Sequence, residues 1–128
     1  MVEEHLYSRL SGFVGLTALV GARIHHGNAP QASATPYVVF GEITAERTSA
    51  MGVDTGLAHM RFQFDAWAVS RDSARAVKEQ LRLALARYSG TVAGHTIQDI
   101  FLVSELSDYE DQTQLHRYSQ DFMVHHVE

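Results

Sequence analysis

Apolar residues recur at two different periods along this 128-residue chain, and the switches between them mark out its elements. Leu6, Leu10 and then Phe13 or Val14 stand three to four apart behind the acidic pair Glu3 and Glu4, which predicts a short helix over about residues 3–11. Gly12 and Gly15 break it, and Leu16 to Gly21 can add one further turn. The stretch His25 to Thr35 reads as a loop. Pro36 cannot donate a ladder hydrogen bond, so it belongs at the start of a strand, and Tyr37-Val38-Val39-Phe40 carries that strand over about 36–47.

The period then becomes strictly two. Ala58, Met60, Phe62, Phe64, Ala66 and Ala68 share one face, with His59, Arg61, Gln63, Asp65 and Trp67 on the other, so Leu57–Val69 is a two-faced strand. Residues 48–56 join the two strands as a long hairpin tip with two glycines. Ser70 or Asp72 caps a helix whose apolar positions are Ala74, Val77, Leu81, Leu85 and Tyr88, with Gly90 placed to stop it. Strands over about 95–106 and 115–127 follow, joined by the polar segment 107–114. The order α-β-β-α-β-β predicts an α+β fold: a four-stranded antiparallel sheet with the long helix and the short N-terminal helix on one face. At this length the whole chain, 1–128, is expected to be one domain.

Lengths do not match in that arrangement. The helix Asp72–Tyr88 reaches about 25 Å at about 1.5 Å per residue, whereas the strand before it reaches about 44 Å at about 3.4 Å per residue. The helix shelters only the end of the strand next to it, so Ala58, Met60 and the tip with Met51 and Val53 are expected to want cover from elsewhere. A neighbouring subunit is one supplier, which makes Arg47, Met51, Val53, Asp54, Leu57, His59 and Met60 the expected subunit interface. The N-terminal helix or strand curvature is the other.

Composition removes function classes more readily than it supplies them. A net charge of −5 argues against a domain built to grip phosphate, and zero cysteines remove disulfides, thiol nucleophiles and cysteine-ligated metals. The longest apolar run, Phe13–Val20, has eight residues against the roughly 20 that span a bilayer, so no membrane contact is expected. The acidic opening Val2-Glu3-Glu4-His5 predicts that the chain is not exported as a secretory precursor. Eight histidines raise the question of a metal, but adjacent strand residues such as His125 and His126 point to opposite faces, and although His25 could meet His59 or His116 across space, no carboxylate at helical i, i+4 spacing supports such a site. Asp65 beside Trp67 could be a catalytic carboxylate; a cross-strand ion pair with Arg117 or Arg61 is the simpler reading. No nucleophile elbow or phosphate-cradling glycine loop occurs, and Asp108, Glu110 and Asp111 lack the pattern of a calcium loop. No catalytic residue, metal or cofactor is expected, and the protein is not expected to be an enzyme.

Arg23-Ile24, Ala29-Pro30-Gln31, Pro36-Tyr37-Val38-Val39-Phe40, Phe64-Asp65-Ala66-Trp67-Ala68, the helix ending Leu85 to Gly90 and the closing strand with Phe122 and Val124 together resemble the tail-completion or tail-terminator proteins of long-tailed bacteriophages, which gene transfer agents also carry. The resemblance implies a structural subunit of the virion tail and neck, made in the cytoplasm of the host bacterium. It implies a ring, commonly a hexamer, that caps the head-proximal end of the tail tube, ends tube growth and joins the head. Partners would be copies of itself, the major tail tube protein and a head-completion or neck protein, with DNA passing through unbound. For such a channel an acidic lining suits sliding DNA, and Glu42, Glu46, Asp54, Asp108, Glu110 and Asp111 are the expected lumen-facing residues. The competing classes are a small α+β ligand- or protein-binding module that dimerises through its sheet, and an enzyme using histidine or aspartate.

Overall fold

The structure, a computed structural model, describes residues 2–29, 34–50 and 53–127, and over 44–50 and 53–58 it describes the backbone alone. Its elements are α1 (Val2–Ser11), α2 (Val14–Val20), β1 (Ile24–His26), β2 (Tyr37–Ala50), β3 (Val53–Ala68), α3 (Arg71–Leu85), β4 (Gly90–Val92), β5 (His95–Glu110) and β6 (Leu115–Val127). The described strands form one curled, six-stranded sheet in the order β1-β2-β3-β6-β5-β4. β1 runs parallel to β2, with Ile24 opposite Val38, and the remaining pairs are antiparallel.

This corrects the four-stranded antiparallel expectation in both strand number and direction, and it adds a third helix. Two strands are new, and each has three residues, too few to display a period of two. β1 lies in what reads as a loop, and its parallel partner is set by packing. β4 forms a tight hairpin with β5 through Ala93 and Gly94, both at positive φ (51° and 81°), as a primed two-residue turn requires. Gly90 therefore starts a strand, and the left-handed residue beyond α3 is Arg87, at φ 63°. α3 accordingly ends at Leu85, three residues before the expected Tyr88.

The core lies between the sheet and the helices. Phe62, Phe64, Ala66 and Ala68 are buried from β3, as their parity predicts, beside Phe40 and Phe122. Phe64 stacks on Phe40 with centroids 5.2 Å apart and meets Phe122 edge-on at 5.6 Å. The apolar stripe of α3 (Ala74, Val77, Leu81 and Leu85) closes over them, and Ser70 caps that helix by accepting a hydrogen bond from the Ser73 amide at 3.1 Å.

α3, with 15 residues, is about 22 Å long. β3, with 16, is about 54 Å. Much of the mismatch is closed from within. α1 packs across β1, β4 and β5, buries Val2, His5, Leu6 and Leu10, and thereby covers the end of the sheet where His126 pairs with Ala58. Met60 is half-buried against the core. β6 ends opposite Leu57, so past that point, among the described residues, β3 has β2 alone beside it, in the pairs Ser49–Asp54 and Ala50–Val53. What runs beyond the sheet is a ribbon of about four residues per strand.

Candidate assembly surface

The face of the sheet away from the helices follows from the strand register, which lays side chains out in rows. One row runs Tyr37–Trp67–Arg117–Asp108 across β2, β3, β6 and β5. Tyr37 and Trp67 stack at 6.4 Å, Arg117 lies 5.4 Å from the Trp67 ring centre, and its guanidinium donates to both carboxylate oxygens of Asp108 at 3.1 and 2.6 Å. That fork raises the Arg117 pKa further, and Asp65, 3.8 Å away, adds to it. In the row Gly41–Gln63–Asp121–Ser104, Asp121 accepts from Arg61 at 2.8 Å and from Ser104 at 3.1 Å.

The sheet's curl brings the two sides of this face together. Tyr37, Val39, Asp65 and Trp67 floor a hollow of about 510 Å³, walled by Gly27–Ala29 after β1 and by Glu110 and Thr113 of the β5–β6 turn. Burial raises the Tyr37 pKa, and the Glu110 carboxylate raises it further.

The edge beside this face is open. β4 pairs only with residues 95–97 of β5, and past the Arg87 amide, which donates to the Ile100 carbonyl at 2.7 Å, no described strand lies against β5 on the side away from β6. Every residue from Phe101 to Glu110 is exposed, among them Phe101, Leu102, Val103 (48%), Leu106 (58%) and Tyr109. A long edge with unpaired backbone groups and apolar side chains is what a solitary protein avoids.

Histidines gather at the opposite end, under α1. The Nδ1 atoms of His5 and His95 share a hydrogen bond of 3.0 Å, His5 Nε2 meets the Tyr88 hydroxyl at 3.0 Å, and His95 Nε2 lies 3.3 Å from His126 Nδ1. Burial lowers the pKa of His5 and of His95; neighbouring His126 and His5 lower the latter further, against an opposing pull from Glu3. His125 points to the other face, where it packs on His59 and Phe101. Among the described residues no three His, Asp or Glu side chains form a metal-holding group, and no helix is long and apolar enough to cross a membrane.

The residues singled out in the sequence scatter over this surface. Asp65 accepts from Gln63 Nε2 at 3.0 Å and faces Arg117, the ion-pair surroundings expected of it. Arg61 turns instead to Asp121. Of the expected interface, His59 and Met60 are half-buried, whereas Met51 and the side chains of Arg47, Val53, Asp54 and Leu57 lie outside the described residues. Of the expected lumen acids, Glu46 and Asp54 likewise lie outside. Glu42 is exposed, 3.7 Å from His26; Asp108 is held by Arg117; Glu110 and Asp111 are exposed at the β5–β6 turn. Sequence reasoning missed the open edge of β5, although the consecutive apolar residues Phe101, Leu102 and Val103 carried a signal: on any strand some of them must face out.

A family model described as Tail completion protein gp17 matches residues 4–126. Among solved structures, a chain of "Virion of native gene transfer agent (GTA) particle" superimposes with a TM-score of 0.81 at 19% identity, over 96% of this chain and 92% of that one, and so has the same fold. No curated protein sequence matches the chain closely enough to speak for it.

Proposed function

Since the chain belongs to the family of tail completion protein gp17, structural proteins of phage tails, we propose that it closes into a ring, a hexamer, on the head-proximal end of a tail tube, where it ends tube growth and presents the joint to the neck. The open β5 edge carries this reading. A ring needs two different surfaces per subunit, one for each neighbour. The exposed run Phe101–Glu110 supplies one, and the β2–β3 ribbon on the other side of the sheet supplies the second, through Arg47, Met51, Val53, Asp54, Leu57, His59 and Met60. The whole chain acts as one domain. Glu42, Glu46, Asp54 and Asp111 line the bore; Glu110, turned to the hollow on the outer face, and Asp108, neutralised by Arg117, contribute less than their charges suggest. The role needs no cofactor and no catalysis, and DNA passes without being held.

The same edge could pair with itself in a two-fold dimer, which would be the mark of a small binding module. Adding the purified protein to polymerising tail tubes separates the two. The ring predicts capped tubes of arrested length in electron micrographs and a ring mass on the released cap. Tubes that keep lengthening at saturating protein, beside a dimer of constant mass, would remove the proposal.

A further inference from the structure

The hollow on the outer face has the chemistry of a cation site. Its floor is aromatic, from Tyr37 and Trp67, with the Asp65 carboxylate beside them, and its wall carries Glu110, whose carboxylate makes no hydrogen bond or ion pair among the described residues. The protein already seats one guanidinium in this way: Arg117 lies over Trp67 and is gripped by carboxylates. Aromatic faces and carboxylates both attract a cation.

The chain has little basic charge of its own to spare for that position. It holds ten Lys and Arg residues against fifteen Asp and Glu. Eight of those cations are engaged within the molecule: Arg61 with Asp121, Arg75 with Asp72, Lys78 with Glu105, Arg82 with Glu79, Arg87 with Asp99, Arg117 with Asp108, and Arg9 and Arg23 with the carbonyls of Ala84 and Pro36. Of the other two, Arg71 stands exposed at the start of α3 and the Arg47 side chain lies outside the described residues, so it is the net charge of −5 on every copy that favours a basic partner over a second copy.

We propose that the Tyr37–Trp67 hollow receives an arginine or lysine side chain from a basic segment of a different protein, with Glu110 as its counter-charge and Asp65, already shared with Arg117, behind it. The inference does not depend on ring closure, because every described residue that lines the hollow comes from one subunit.

Trp67 is the only tryptophan in the chain, so its fluorescence reports on the site directly. The probe is acetyl-Gly-Arg-Arg-Gly-amide, titrated at low salt against the same peptide with citrulline, which keeps the shape and loses the charge. The arginine peptide is expected to change Trp67 emission saturably. The citrulline peptide and the variant Glu110→Gln should each weaken the response by roughly five- to tenfold, an exposed cation–π and ion-pair contribution of about 1 kcal/mol. Glu110 sits on an exposed turn, so its neutralisation leaves the fold intact, as an unchanged melting temperature would verify. Equal responses to the two peptides, no saturable response, or an unaltered titration with Glu110→Gln would each overturn the proposal. So would an emission change that follows the protein's own concentration, which would hand the hollow to a second copy.

Discussion

A histidine ring held out of water favours its neutral form, and this governs how the molecule responds to acid at the scale of single residues. His5 and His95 have pKa values below the ordinary 6.5, chiefly through burial. In the unfolded chain both would titrate near the ordinary value, so below it the unfolded state binds more protons than the folded one. The stability these residues contribute is complete above about pH 6.5 and is lost progressively as pH falls toward their lowered folded values. Melting temperatures measured between pH 7.5 and 5 should therefore drop, and His95→Gln, which cannot take up the proton, should flatten the drop; parallel curves would refute the assignment. Phe64 poses a second residue-scale test, since it is fully buried against Phe40, Phe62 and Phe122. Phe64→Ala should cost about 3–5 kcal/mol in urea unfolding at constant slope.

Among the elements, α3 and β3 were legible because many residues repeat one rule. Four stripe positions fix the helix, and four buried positions at alternate residues fix the face of the strand. The Ser70 cap was legible too, and Ser70→Ala should lower stability by about 1 kcal/mol, readable as a shift of the urea midpoint. β1 and β4 were not legible, because three residues carry no period and their pairing is decided by what folds against them. The strand ends also ran longer than expected. β5 continues to Glu110 through Asp108, whose charge suggests a turn but whose carboxylate is held across the sheet by Arg117 on β6, a contact invisible until the register is known. Of the site, the Asp65–Arg117 pairing could be read from strand parity. The hollow could not, because curl brings Glu110 of β5 to Tyr37 of β2 across two intervening strands. An open edge is likewise the absence of a neighbour, which no local pattern states.

For the whole molecule, net charge and the open edge make opposite demands, and their contest can be measured. Copies carrying −5 each repel one another, and that repulsion is screened over about 10 Å at 0.1 M salt. Apolar edge pairing through Val103 and Leu106 is not weakened by salt. Capping of tail tubes should thus hold or strengthen as ionic strength rises from about 0.02 to about 0.3 M, whereas a contact resting on opposite charges would weaken over the same range. The paired substitution Val103→Asp with Leu106→Asp adds repulsion at the edge while touching only exposed side chains, so each change should alter the stability of the single subunit by no more than about 0.5 kcal/mol. That variant should melt with the unaltered protein yet sediment as a monomer and leave tubes uncapped at every salt concentration. Were it to cap tubes normally, the β5 edge would not be a ring contact; were capping by the unaltered protein to fade steeply with salt, the joint between copies would be electrostatic and the apolar edge would need another purpose.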